Sequence, residues 1–298
     1  MAKVDKVSRK GIVLAGGSGT RLHPLTVSVS KQLLPVYDKP MIYYPLSNLM
    51  LAGIDEILII TAPDQQDLFR NLLGDGSQYG IHLDYAVQEN PDGVPQAFVI
   101  GADFIGDDPV TLILGDNIFY GQGLVQQLRR AVTSNHGATI FAYVVTDPER
   151  YGVVTFDDEG TPIAIAEKPR RPRSDYAVTG MYFFDNDVVE IARNLTPSKR
   201  GETEIIDVIR SYMKRGDLSV ERMGRGIAWL DVGTHDALAE AAAYIQAVDH
   251  RQGFKIACIE EIAWRQQWIS DEQLLCLSEN YGNSPYGAYL AGLMESRL

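Results

Sequence analysis

Short apolar runs alternate with stretches of helical spacing along the first half of the chain. Gly11 to Ala15, Glu56 to Thr61 and Val110 to Leu114 are nearly continuous in apolar residues, the pattern of strands buried on both faces, and Ile81 to Gln88 alternates. Between them, helical spacing appears over Lys39 to Ala52 (Met41, Tyr44, Leu49, Met50), stopping near Gly53, and again over Asp64 to Leu73 and Pro95 to Ala102. Strands separated by helices of about a dozen residues build parallel βαβ units with helices on both faces. Ligands gather at the carboxyl ends of such strands, so chemistry is expected after residues 15, 61, 88 and 114.

The rhythm then changes. Leu124 to Thr133 reads as a helix and Ala138 to Val145 as a strand. Gly152 to Phe156, Pro162 to Ala166 and Val178 to Phe184 follow as short strands, separated by turns and by the basic loop Lys168 to Arg173. They are expected to extend the sheet with antiparallel strands, as a lid or wall over a ligand. Helices are predicted over Asp187 to Asn194 and Glu204 to Arg215, a last short strand over Ile227 to Asp231, and a strong helix over Ala237 to His250. From Ala257 onward Ile259, Ile262, Trp264, Trp268, Leu274 and Tyr289 recur at roughly helical spacing. The expected fold is α/β, a mostly parallel central sheet flanked by helices and extended by antiparallel strands. Residues 10–240 would form this core and 241–298 a helical C-terminal part packed on it, with no long linker or internal repeat.

Composition narrows the partners. The 45% hydrophobic and 22% charged residues are ordinary for a globular protein of 298 residues. No apolar run approaches the ~20 residues of a membrane span, and Met1 to Lys10 is too polar for a signal peptide, so a cytoplasmic location is expected. Cys258 and Cys276 offer neither a disulfide framework nor a metal knuckle. A net charge of −12 repels polyanions, so no nucleic-acid partner is expected. A phosphate ligand must then be held by backbone amides, a few placed cations and a divalent metal.

The candidate for that task is the run from Gly11 into Gly16-Gly17-Ser18-Gly19-Thr20-Arg21. A dinucleotide fingerprint would need glycine or alanine where Leu22 stands, and an acid ending the second strand where Thr61 stands. A Walker loop fails because Arg21 follows Gly16 and no Gly-Lys-Ser/Thr appears. What remains is a glycine loop whose amides approach phosphate closely beside an arginine fork, or a simple tight turn. Asp116 and Asp231 each follow an apolar run, and each alone is as readily a turn-capping aspartate as a ligand. Together they suggest Mg²⁺ held by two hard carboxylate oxygens, phosphate oxygens and water. Glu167 and Lys168 would point to opposite faces of a strand, but Pro169 ends regular pairing, so both can address one ligand or stand exposed.

Leu14 to Leu22, Ser30 to Met41, Gln88 to Gly93, Leu114 to Gly121, Glu167 to Pro169, Tyr176 to Gly180, Trp229 to Thr234 and Cys258 to Arg265 together resemble the sugar-1-phosphate nucleotidylyltransferases over nearly the whole chain. The likeness is strongest to the members acting on dTTP and glucose 1-phosphate. It implies a Rossmann-like core in which Gly16, Gly19 and Arg21 hold the triphosphate and Lys31 lies beside the departing pyrophosphate. It further implies that Gln88 and Gly93 read the base, and that Asp116 and Asp231 bind Mg²⁺. Lys168 would grip the phosphate of the sugar 1-phosphate while Glu167 bonds sugar hydroxyls. Gly152, Val178 and Trp229 would shape the sugar pocket, although Val178 and Trp229 serve equally as core.

With no Ser/His/Asp or Cys/His set in these motifs, the implied reaction is direct attack of glucose 1-phosphate on the α-phosphorus of dTTP. The products are dTDP-glucose and pyrophosphate, the first step toward dTDP-rhamnose in this family. Gln88 does not detect the C5 methyl group of thymine, so a UTP-dependent uridylyltransferase stays open as an alternative. So does a non-catalytic nucleotide-sugar-binding regulatory subunit. The resemblance also implies a homotetramer and an allosteric dTDP-sugar site, with Glu261, Ile262 and Arg265 as its candidates.

Overall fold

A computed structural model describes residues 8–134 and 136–295. Met1 to Val7, most of the segment read as too polar for a signal peptide, lie outside the described residues, as do Asn135 and residues 296–298. The chain opens with β1 (Lys10–Ala15), a small hairpin of β2 (Pro35–Val36) and β3 (Lys39–Pro40), α1 (Tyr43–Leu51) and β4 (Glu56–Thr61). It continues through α2 (Gln66–Leu73), β5 (His82–Val87), α3 (Gln96–Ile100), α4 (Ala102–Ile105), β6 (Val110–Leu114), β7 (Asn117–Gly121) and α5 (Leu124–Thr133). Then come β8 (Ala138–Val144), β9 (Gly152–Phe156), β10 (Pro162–Glu167), β11 (Tyr176–Phe184), α6 (Asp187–Arg193), α7 (Ile205–Arg215), β12 (Leu218–Arg222) and β13 (Ile227–Asp231). Four helices end the chain: α8 (His235–Gln252), α9 (Ile259–Arg265), α10 (Asp271–Asn280) and α11 (Pro285–Gly292).

Nine strands form the main sheet. The apolar run of β1 is paired in parallel on both sides, with β4 and β6, and β5 adds in parallel to β4. Beyond β6 the direction reverses: β11 pairs antiparallel with β6, β8 and β9, and β10 pairs antiparallel with β9. The mostly parallel sheet and its antiparallel extension are therefore both present, as the hydrophobic pattern indicated. Successive side chains of β1 enter opposite cores. Ile12 joins Phe98, Phe184, Val188 and Tyr212 on one face, and Val13 joins Leu46, Ile59 and residues of the C-terminal helices on the other. Burying each such aliphatic side chain stabilises the fold by roughly 1.5–3 kcal/mol.

The structure departs from the sequence reading in three places. The helix expected from Lys39 starts only at Tyr43, because Lys39 and Pro40 pair with Val36 and Pro35 in the hairpin. The expected helix Pro95 to Ala102 is broken at Gly101 into α3 and α4. Besides that hairpin, two further strands were not foreseen: polar, half-buried β12, parallel to β8, and β7, which follows Asp116 directly and pairs antiparallel with β13.

The C-terminal helices share the core of the sheet. Ile259, Ile262, Ala263, Leu274, Leu277 and Leu290 pack with α1 and β4 residues, and Gln266 Nε2 donates to the Met50 carbonyl at 2.5 Å. Glu260, fully buried, accepts hydrogen bonds from the Tyr281 and Tyr286 hydroxyls, each at 2.7 Å. A capping box between Ser270 and Gln273 starts α10.

Candidate active site

A cleft of about 350 Å³ opens at the carboxyl end of β6 and is bordered by the antiparallel strands β9 to β11. Asp116 lies in the single turn between β6 and β7. The β7–β13 ladder brings the second carboxylate to it: Asp231 pairs with Asn117, and the Val232 amide donates to the Asp116 carbonyl at 3.0 Å. Asp116 and Asp231, 115 positions apart in sequence, thus line one cleft together. Thr234 then caps α8, its side chain accepting from the Ala237 amide at 3.2 Å, and fixes the chain leaving Asp231.

The two carboxylates are in opposite electrostatic situations. Burial acts to raise the Asp116 carboxyl, but the Lys31 ammonium and the Asn117 amide outweigh it and hold it below the ordinary carboxylate range. Burial and the charge of Asp116 push Asp231 up to about 6, against the smaller pull of Lys31, Arg21 and Arg150. The neighbours of Asp116 favour its charged form, whereas burial and Asp116 disfavour that of Asp231.

Lys31, 8% exposed, sits in a turn over Lys31–Leu33 and forms an ion pair with Asp116 Oδ2. The glycine loop closes back on this turn. Thr26 Oγ1 donates to the Gly19 carbonyl at 2.8 Å, and a Cβ on Gly19 would stand 3.2 Å from Thr26 and 3.4 Å from the Lys31 Cβ. Arg21 reaches the cleft with its guanidinium against Gly233, where a Cβ would come within 3.1 Å of Nη2.

On the far wall, Gly152, Glu167, Lys168, Val178 and Trp229 all line the cleft. Lys168 leaves the end of β10 with φ +39, and its Nζ lies 3.7 Å from a Glu167 oxygen, so the adjacent acid and base do face one space. Trp229 is 8% exposed, with its ring 5.2 Å from Tyr151 and 5.9 Å from Tyr143. It is at once core and wall.

Gly16, Gly19, Lys31, Gln88 and Gly93 are not among the residues lining this cleft. Gln88 and Gly16 adjoin at the ends of β5 and β1, since a Cβ on Gly16 would lie 2.5 Å from Gln88 Oε1. The Gln88 side chain donates to Gln96 Oε1 at 2.6 Å and, more weakly, to the Gly93 carbonyl at 3.4 Å. Gly93 has φ +118 and bridges to Thr203, a cleft residue. The candidates Glu261, Ile262 and Arg265 lie on α9, away from the cleft lining. Glu261 accepts from Arg265 Nε at 2.6 Å and from the Tyr289 hydroxyl at 2.5 Å, and Ile262 is buried.

Sequence reasoning missed Asn117, Arg150, Arg200 and Thr203, all on the cleft. Arg200 bonds both Glu167 Oε1 at 3.0 Å and Glu204 Oε2 at 2.7 Å. Nothing in the run Lys199-Arg200-Gly201 marks it. For Asn117, the adjacent Gly115-Asp116 pair was the available signal.

Comparison with known proteins gives the chain its family. A family described as nucleotidyl transferase matches residues 10–248. A glucose-1-phosphate thymidylyltransferase of Neisseria meningitidis is 59% identical over 286 residues, covering 96% of this chain and 99% of the relative. A crystal structure from Bacillus anthracis, assigned to glucose-1-phosphate thymidylyltransferase and containing a sucrose, is 40% identical with a TM-score of 0.74, covering 79% of this chain and 94% of that one. A UDP-glucose pyrophosphorylase complexed with UDP-glucose is 25% identical with a TM-score of 0.70, covering 82% of this chain and 100% of that one. With its family matched across most of its length and its carboxylates and cations gathered in one cleft, this chain belongs to the nucleotidyl transferase family.

Proposed function

We propose that this protein transfers a thymidylyl group from dTTP to glucose 1-phosphate, releasing pyrophosphate and forming dTDP-glucose. The observation that carries this reading is the placement of Asp116, Asp231, Arg21 and Lys168 around one cleft, with Lys31 paired to Asp116, in a chain 59% identical to a thymidylyltransferase over nearly its whole length.

Arg21, on the cleft, and Lys31, paired with the cleft residue Asp116, would hold the triphosphate, which brings about four negative charges. Gly16 and Gly19 would let backbone amides approach it, with Gln88 and Gly93 at the base. Lys168 would hold the phosphate of the sugar 1-phosphate, Glu167 would accept from sugar hydroxyls, and Gly152, Val178 and Trp229 would fix the sugar ring. The attacking phosphate oxygen is ionised at neutral pH, so no side chain need act as a base. The contribution of the protein is positioning and charge stabilisation as pyrophosphate leaves.

Asp116 and Asp231 fit a divalent cation. They line one cleft, both offer hard carboxylate oxygens, and the charge of Asp116 with burial holds Asp231 above the ordinary carboxylate range, a repulsion that a cation between them would relieve. That donor set suits Mg²⁺, which keeps water and takes phosphate oxygens. Mg²⁺ held there would cancel the repulsion between the carboxylates and the phosphates and draw charge from the leaving group.

A uridylyltransferase is the second reading, left open by Gln88, whose amide matches thymine and uracil alike. Competition between dTTP and UTP against glucose 1-phosphate separates the two, and a strong preference for UTP overturns the first. We extend the proposal to a homotetramer with a dTDP-sugar site at Glu261, Ile262 and Arg265. Light scattering tests the assembly, and inhibition by a dTDP-sugar that is strictly competitive with dTTP would remove the need for that second site. No helix of the described residues is long and apolar enough to cross a membrane, which fits the cytoplasmic location we assign.

A further inference from the structure

Asn117 is 2% exposed, and each polar atom of its side chain is bonded. Its Oδ1 accepts from the Trp229 indole Nε1 at 2.6 Å and from the Gly180 amide at 3.1 Å, while its Nδ2 donates to Asp116 Oδ1 at 2.9 Å. The orientation is forced. Two N–H donors meet on one side, so only the carbonyl oxygen can face them, and the NH₂ must face the carboxylate. Gly180 closes the pocket, since a Cβ there would lie 2.5 Å from Asn117 Oδ1. The two Asp116 oxygens are thereby divided, Oδ1 to Asn117 and Oδ2 to Lys31.

We propose that Asn117 is a positioning residue that fixes the Asp116 carboxylate and ties it to Trp229, so that the wall of the sugar pocket and the metal-binding carboxylate move as one unit. The inference rests on the function proposed above. Its physical basis is that a carboxylate free to rotate presents its metal-binding oxygen only part of the time, whereas one locked by hydrogen bonds presents it always. Trp229 faces the sugar side of the cleft, yet its indole N–H holds the amide that holds Asp116. Loss of that N–H should loosen a metal ligand it does not touch.

The test uses the full chain and Mn²⁺ as the probe, with free Mn²⁺ followed by electron paramagnetic resonance in the presence of dTTP. Trp229→Phe keeps an aromatic wall and removes the donor. It is expected to weaken Mn²⁺ binding about three- to tenfold, the scale of one net hydrogen bond, here lost one step further from the metal than Asn117 itself. Binding of dTTP in EDTA is expected to stay within about twofold of wild type, because the fault lies at the carboxylate and is not a general collapse. Asn117→Ser should show the same pattern more strongly; if it fails to fold, Trp229→Phe decides alone. Unchanged Mn²⁺ binding in Trp229→Phe overturns the proposal, as does an equal loss of dTTP binding without metal. If the wild-type chain itself binds no Mn²⁺ with dTTP and yields no product, the functional reading fails instead.

Discussion

Replacing Gly93 by alanine tests how the base-side loop is held to the sugar side. Gly93 has φ +118, where a side chain is strained, and its new Cβ would lie 2.0 Å from the Thr203 carbonyl oxygen and 2.8 Å from the Thr203 nitrogen. These are backbone atoms and cannot swing aside. Relief requires the two segments to part by more than an ångström, which endangers the bonds from the Thr203 amide and hydroxyl to the Asp92 carbonyl, at 2.8 and 3.0 Å. Two hydrogen bonds at about 1 kcal/mol each, with about 1–2 kcal/mol of backbone strain, put the cost of docking at roughly 3–4 kcal/mol. Part of this will relax away. If about 1.5–3 kcal/mol remains, the competent population and hence kcat/KM fall about ten- to hundredfold. The fall should appear for both substrates, because Gly93 touches Gln88 on one side and Thr203 on the other. Gly201→Ala is the control, with φ +82 but nothing within 4 Å of the new Cβ. Steady-state kinetics on both variants decides. If Gly93→Ala loses no more activity than Gly201→Ala, the contact between the loops carries no function.

Further outcomes follow from individual contacts. Asp116→Asn removes the partner of Lys31 and a candidate metal ligand, and should lower kcat by about a hundredfold or more in a pyrophosphate-release assay. Tyr281→Phe leaves one oxygen of fully buried Glu260 without its donor, and should cost about 1–3 kcal/mol and lower the melting temperature by about 2–8 °C without changing KM. Burial acts to raise the Asp38 carboxyl, but Lys39 and Lys255 outweigh it and hold it below its ordinary value. A carboxyl lowered on folding adds stability above its unfolded pKa near 4 and loses it as pH falls through the lower folded value. Melting curves of Asp38→Asn should accordingly be flatter than wild type below about pH 4.

What the sequence disclosed depended on how locally each feature is determined. The strands β1, β4 and β6 are buried on both faces, so their apolar runs are continuous and legible. Strand β12 is a half-buried edge with polar residues, and β7 follows a Gly-Asp turn without a break, so neither produced a pattern. The paired carboxylates were suggested by two similar apolar-run endings, but their meeting depends on the β7–β13 ladder, which joins distant segments. Asn117 lies within the run Leu114 to Gly121, but its task is not legible there, because its partners Gly180 and Trp229 lie 63 and 112 positions away. Arg200 is held on the cleft by Glu167 and Glu204, contacts that local spacing does not reveal.

The most direct measurement is phosphorus NMR of the purified chain with dTTP, glucose 1-phosphate and Mg²⁺. Equal amounts of dTDP-glucose and pyrophosphate are expected to appear, neither when Mg²⁺ is omitted, and both at least about a hundredfold more slowly when Asp116 is replaced by Asn. Pyrophosphate accompanied by dTMP, with glucose 1-phosphate unconsumed, would contradict thymidylyl transfer in this cleft.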